Sequence, residues 1–129
     1  MNLKIVATIT LGMCLLFTAC EQEVPKEELY GNWQAVALKE EGKSLTINIE
    51  EIKLSFKKRT YVFESTLQYK EAGIYRLQSN LLLTKDTLKE NVLEKGIEIS
   101  RLTKDSLFLR MNEQGKERRL TMVRMKNEE

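Results

Sequence analysis

The chain has 129 residues, 42% hydrophobic and 31% charged, with a formal net charge of +2. The near-balance of charge, with acidic and basic residues interleaved throughout, argues against the basic stripe of a nucleic-acid-binding domain, and the apolar fraction is that of a globular chain and not a disordered one. With no histidine at all, the commonest general base and metal ligand is missing.

In chain order, Met1 to Lys4 is short and carries one positive charge, and Ile5 to Phe17 has no charged residue. Thr18 and Ala19 are small, Cys20 follows, and the composition then turns to Glu21-Gln22-Glu23-Val24-Pro25-Lys26-Glu27-Glu28. A charged start, a short apolar core and a small-residue end predict a helical secretory signal peptide over residues 1–19. The run is too short for a spanning helix, which needs about 20 apolar residues. Phe17-Thr18-Ala19-Cys20 resembles a bacterial lipobox, with Phe17 where Leu is commonest. The resemblance implies that Cys20 becomes the first mature residue and carries acyl chains such as palmitate. Each buried methylene contributes about 0.8 kcal/mol, and more than one chain is needed for a stable anchor. Cys14 follows bulky Met13 inside the apolar core and is expected to leave with the signal.

The expected mature protein is therefore a lipoprotein of the bacterial cell envelope, held by the lipid on Cys20. Its expected location is the outer membrane, on the periplasmic face or at the cell surface. Glu21 and Glu23 resemble an export signal of one group of Gram-negative bacteria, and read equally well as a soluble tether. Such a chain has no free thiol, so no disulfide, thiol nucleophile or thiolate metal site is expected. Its net charge falls to about +1 once Lys4 is removed.

Residues 20–29 read as the lipidated cysteine and an acidic tether containing the one proline; nine extended residues reach about 30 Å. Residues 30–126 form the expected domain and 127–129 a polar tail. From Tyr30 onward the dominant period is two, which predicts strands. Trp33, Ala35 and Ala37 alternate with Gln34, Val36 and Leu38, and Glu40 to Lys43 reads as a turn. Leu45, Ile47 and Ile49 form one alternating set; Ile52, Leu54 and Phe56 form the next. Lys57-Lys58-Arg59 interrupts as a basic tip, solvated or touching anionic headgroups, before Tyr61 and Phe63. Ala72 to Leu77, Leu81 to Leu83, Ile97 to Leu102, Leu107 to Met111 and Leu120 to Arg124 follow, separated by turn residues. Lys85 to Lys95 reads as a helix stopped by Gly96 or as a polar hairpin, and the surrounding strands favour the hairpin. About eight or nine short strands at this spacing predict an all-β, antiparallel barrel or sandwich.

Leu29-Tyr30-Gly31-Asn32-Trp33 resembles the Gly-X-Trp opening of lipocalins. Ala72 to Leu77 with Ser79 to Leu83, Ile99 to Arg110, and the final strand Leu120 to Lys126 are similar to hairpins and the closing strand of small bacterial lipocalin-like domains. The resemblance covers most of residues 29–126. It implies a small antiparallel up-and-down β-barrel of about eight strands and, in some relatives, a small apolar ligand inside. It also implies an arginine stacked on the tryptophan, which corresponds to Arg124 or Arg118.

Trp33 is expected to plug the closed end of such a barrel, its indole N–H finding a partner. Phe56, Tyr61, Phe63, Tyr69, Tyr75 and Phe108 form an aromatic set that either lines a pocket or fills a core. An eight-stranded barrel is just wide enough for either, and so short a chain favours packing. No Gly-rich phosphate loop, nucleophile elbow or Ca²⁺-loop spacing is present. The adjacent pairs Glu27-Glu28, Glu40-Glu41 and Glu50-Glu51 point to opposite faces of any strand. The expectation is a non-enzymatic protein with no metal and no cofactor. It binds a small apolar ligand at the envelope or, alternatively, serves without a cavity as an interaction, structural or peptidase-inhibitor-like module for another envelope protein.

Overall fold

The computed structural model describes residues 23–126; the expected signal peptide, Cys20 and the polar tail lie outside them. The strands are β1 (Gly31–Glu40), β2 (Lys43–Ser44), β3 (Lys53–Phe56), β4 (Thr60–Glu64), β5 (Lys70–Gln78), β6 (Leu81–Asp86), β7 (Lys95–Leu102), β8 (Ser106–Glu113) and β9 (Lys116–Arg124). All pairings are antiparallel. Each strand from β3 to β9 pairs with the next, β1 pairs with β3, and β1 also pairs with β9. The chain is thus all-β, with eight strands closed into an up-and-down barrel as expected. Two-residue β2 is an appendage on the end of β1, paired at Lys39 and Glu40. Closure removes the unpaired edges that an open sheet would expose.

Inward and outward residues alternate as the period-two pattern requires. Leu82, Thr84 and Asp86 of β6 are buried, as are Leu107 and Leu109 of β8 and Leu120 and Met122 of β9. The turn expected at Asn112 to Lys116 is a two-residue connection in which Gln114 and Gly115 both have positive φ, +51° and +81°. That geometry matches strand twist and favours glycine at the second position. The Lys85–Lys95 ambiguity resolves as a hairpin: β6 runs to Asp86, β7 starts at Lys95, and Thr84 pairs with Lys95.

Three local readings change. A bulge between Ala35 and Ala37 shifts the β1–β9 register. Trp33 and Ala35 face inward, Val36 is exposed, and Leu38 rather than Ala37 is buried. One extra residue on one strand reverses the alternation beyond it. The expected strand at Leu45 to Ile49 is instead a loop ending in a short 3₁₀ turn, Ile49–Glu51. β3 pairs only with Gly31–Gln34 of β1, and the chain after β2 follows β1 as far as the Leu45 N–H donating to the Leu38 carbonyl before it leaves the sheet. Its alternation arises because Leu45 and Ile47 dip toward the barrel interior from above. Finally, residues 24–29, expected to be tether, belong to the folded domain. Lys26–Leu29 is a 3₁₀ turn, Leu29 is fully buried and Val24 packs on the core. A free tether would leave those apolar groups in water, so they fold onto the barrel end.

Gly73 marks a close approach between β5 and β6. A Cβ there would sit 1.9 Å from the Lys85 carbonyl oxygen. Gly73→Ala is therefore expected to cost about 2 kcal/mol or more, as an overpacked position does. Denaturant midpoints measure this, and an unchanged midpoint would contradict the close contact.

Candidate functional site

The two ends of the barrel differ, and the difference starts with Gly31 and Trp33. Gly31 has φ +123°, and a Cβ there would approach Arg124 Nη1 to 2.8 Å. Trp33, two residues on, is fully buried, and its Nε1 donates to the Leu29 carbonyl at 2.9 Å. Arg124 lies directly opposite Trp33 across the β1–β9 seam. Its guanidinium sits 4.3 Å from the indole centroid and donates to the carbonyls of Lys104, Tyr30 and Glu28. Of the two arginines named from sequence, Arg124 is the one stacked on Trp33; Arg118 lies at the other end. The 24–29 strap adds Val24 N–H donating to the Ser79 carbonyl and the Lys26 ammonium 5.1 Å from the Tyr75 ring. Tyr75 and Phe56 pack edge to face at 5.0 Å in the layer beneath. This end is plugged.

The opposite end encloses a cavity of about 720 Å³. Its apolar wall consists of Leu38, Ile52, Leu54, Leu82, Leu109 and Leu120, with Leu45, Ile47 and Met111 nearer the mouth. Grooves of similar size, about 700 and 660 Å³, lie against the N-terminal strap and the β4–β5 loop. These are lined by loop ends and strand edges, whereas the barrel cavity is lined by inward side chains from the strands.

One side of the cavity is polar. Glu71 of β5 is only 7% exposed. Its Oε2 accepts from the Tyr61 hydroxyl at 2.8 Å, and its Oε1 accepts from Lys95 Nζ at 3.0 Å and from the Tyr69 hydroxyl at 3.4 Å. Thr84 of β6, 4% exposed, also lines the cavity. Its hydroxyl lies near Tyr61 but makes no hydrogen bond of ordinary geometry. At the mouth, Glu40 accepts from Arg118 Nε at 2.7 Å and lies 3.5 Å from Lys116 Nζ. The Arg118 hydrogen bond, reinforced by both positive charges, holds the Glu40 carboxyl below its ordinary range. Partial burial alone would lower the Lys95 pKa. The hydrogen bond and charge of Glu71, with Tyr69 and Glu113 adding to the field, outweigh it and keep the ammonium above its usual value.

The sequence-predicted aromatics divide into three groups. Tyr61 and Phe63 line the cavity, joined by Tyr69, whose ring lies edge to face with Phe63 at 6.3 Å. Trp33, Phe56 and Tyr75 are buried in the plugged half and do not line it. Phe108 departs from the expectation. It sits between the buried Leu107 and Leu109 and so points to the outer face, where the Arg101 guanidinium lies 6.0 Å from its ring. Sequence reasoning passed over Glu71, Thr84 and Lys95. Glu71 shares an inward phase with Tyr75, and Thr84 with Leu82. A polar residue in phase with a strand's apolar set is the signal that marks them.

The two buried tyrosines predict an alkaline transition. Burial, followed by the charge of Tyr30, pushes Tyr75 up to about 12. Burial, followed by the hydrogen bond and charge of Glu71, raises Tyr61 as well. A raised folded pKa means the neutral phenol is favoured by the fold. That stability is complete below the unfolded value near 10 and is lost as pH rises toward 12. Denaturant midpoints should therefore fall between about pH 10 and 12, and Tyr75→Phe should flatten the fall. An identical profile for the variant would rule Tyr75 out as a contributor.

Among the described residues there is no cluster of three or more metal-ligating side chains and no helix long and apolar enough to cross a membrane. No family model, no curated protein and no solved structure matches this chain.

Proposed function

We propose that this chain is a lipid-anchored protein of the bacterial envelope whose barrel takes up a small, largely apolar ligand through its open end, without catalysing a reaction. The cavity of about 720 Å³ with its leucine and isoleucine wall is the observation that supports this reading. It falls within the range of small-molecule sites, about 300–1,000 Å³, and has their composition of an apolar lining with a few convergent polar groups. The anchor at Cys20 also gives the cavity a direction. The strap that begins at Val24 belongs to the plugged end, and the chain from Cys20 to Val24 can reach at most about 14 Å, which keeps that end near the proposed lipid. The exposed Lys57-Lys58-Arg59 turn lies at the same end. The mouth then faces away from the anchoring membrane.

The test is to purify the full chain from its envelope fraction, extract it with organic solvent, and identify bound molecules by mass spectrometry. Met111→Trp, which places an indole at the cavity wall, is the control. An apolar molecule retained by the parent and lost from a folded Met111→Trp variant is the expected result. No bound molecule, and no uptake of an apolar fluorophore, would count against ligand binding. Cys20→Ala is expected to abolish lipid labelling and move the protein out of the membrane fraction; continued membrane attachment would overturn the anchor.

A second reading, an interaction or inhibitor-like module for an envelope protein, is supported by the rim of the mouth. Leu67 is 95% exposed and Leu93 86%, with Leu88 on the same loop as Leu93. Leu67 also has φ +59°, a conformation uncommon outside glycine. Photo-crosslinking in cells from positions 67 and 93 tests it, and background-level products would argue against a partner there.

A further inference from the structure

The plugged end carries a group of cations that ligand uptake through the mouth does not use. Lys57, Lys58 and Arg59 are three exposed basic residues in succession on the β3–β4 turn. Buried Tyr75 fixes that turn. Its hydroxyl donates to the Lys57 carbonyl, and its backbone N–H donates to the Arg59 carbonyl at 3.1 Å. The Lys57 N–H closes the turn on the Thr60 carbonyl at 2.9 Å. The same Tyr75 ring has the Lys26 ammonium of the strap 5.1 Å from its centroid. One buried side chain thus gathers four positive charges on one side of the barrel end. Among the described residues none of the four forms an ion pair, whereas Arg76, Lys95, Arg110, Lys116, Arg118 and Arg119 all do. The described carboxylates of this end, Glu23, Glu27, Glu28 and Asp105, lie along the strap and on the β7–β8 turn and pair with none of them. Like charges held together on a fixed backbone repel one another, and an anionic surface outside the domain relieves that repulsion. The proposed anchor supplies one. It enters at this end, on a chain from Cys20 to Val24 that reaches at most about 14 Å, and Lys26 follows within the strap. A lipid anchor and a basic patch reinforce each other on a membrane.

Resting on the lipid anchor proposed above, we propose that Lys26, Lys57, Lys58 and Arg59 form a membrane-contact surface that docks on the anionic headgroups of the anchoring bilayer. The contact stands the barrel on its plugged end, with Lys43 and Lys89 at the far end in solvent. The acyl chains hold the protein at the membrane, and the four cations set which end of the barrel meets it.

The experiment is lysine acetylation read by mass spectrometry, on full chain purified from the envelope fraction. The protein is reconstituted on vesicles of phosphatidylcholine alone and of equal parts phosphatidylcholine and phosphatidylglycerol. Lys26, Lys57 and Lys58 are expected to react about fivefold or more slowly on the anionic vesicles, the effect of one basic side chain held at an anionic surface. Lys43 and Lys89 should react equally on both. Salt near 1 M, where the Debye length falls to about 3 Å, should abolish the difference. Lys57→Glu, Lys58→Glu and Arg59→Glu together keep the backbone carbonyls that Tyr75 holds and should remove the protection of Lys26. Lys58→Gln, a single exposed change, should lower the protection of Lys57 and keeps the assignment testable if the charge reversal disturbs the turn. Equal reactivity on the two vesicles, from a chain that floats with both, would overturn the headgroup contact and leave the anchor standing. Protection of Lys43 and Lys89 in place of Lys57 and Lys58 would overturn it as well. Flotation with anionic vesicles alone would remove the anchor and keep the contact, and flotation with neither would remove both.

Discussion

Trp33→Ala is expected to destabilise the barrel by about 3–5 kcal/mol, the range for removing a large buried aromatic. Small domains are stable by about 5–15 kcal/mol in total, so the variant should be marginal at growth temperature. The loss has three sources. A fully buried indole leaves a void, the Leu29 carbonyl loses its donor, and the Arg124 guanidinium loses the ring it covers. Arg124 holds three backbone carbonyls, from the strap and from the β7–β8 turn, so the effect extends from the core to the closure of the barrel. Denaturant unfolding of Trp33→Ala, Arg124→Met and the double variant measures it. A coupling of about 0.5–2 kcal/mol between the two is expected for a stacked, desolvated cation. A loss below 1 kcal/mol on Trp33→Ala would mean that the plug does not support the barrel.

Glu71→Ala should be the other severe substitution, at about 3 kcal/mol. Glu71 is the common acceptor for Tyr61, Tyr69 and Lys95, and alanine leaves the buried Tyr61 hydroxyl without its acceptor. The contribution of Lys95 is smaller, because its side chain is 52% exposed and solvent screens the pair. Glu71→Gln keeps an acceptor for the phenols and should cost about 1 kcal/mol. Equal midpoints for the alanine and glutamine variants would show that the hydrogen bonds to Glu71 contribute nothing to stability.

Much of the barrel was legible from residue order, because a half-buried strand carries its own signature. Leu107, Leu109 and Met111 in β8 and the Gln114-Gly115 turn specify a hairpin through side-chain period and backbone sterics alone. The exceptions have local causes that a linear pattern does not carry. The β1 bulge exchanges Ala37 for Leu38 on the inner face, and nothing in an alternating Ala-Val-Ala-Leu run marks the extra residue. The Leu45 to Ile49 segment alternates like a strand, but it leaves β1 after the Leu45 N–H bond to the Leu38 carbonyl and turns into the 3₁₀ turn at Ile49–Glu51. Phe108 was grouped with the interior aromatics by type, although its phase relative to Leu107 and Leu109 places it outside.

The candidate site was less legible than the fold. Tyr61 and Phe63 were identified because aromatic residues at inward phases mark an interior. Glu71, Thr84 and Lys95 come from three strands, and their value depends on meeting across the barrel. That meeting is set by register: Phe63 pairs with Glu71, Tyr75 with Thr84, and Thr84 with Lys95.

By itself, then, the sequence determined an all-β antiparallel domain and its principal turns, because each rests on local period and backbone sterics, while the Gly31-X-Trp33 opening was read from a family resemblance. Tertiary structure decided the rest. It selected Arg124 over Arg118 as the partner of Trp33, since only closure of β1 on β9 brings position 124 opposite position 33. It drew the tether into the plug, because Leu29 had a core to enter. It also left one end filled and the other hollow, which depends on summed side-chain volumes around a closed ring and not on any single stretch of chain.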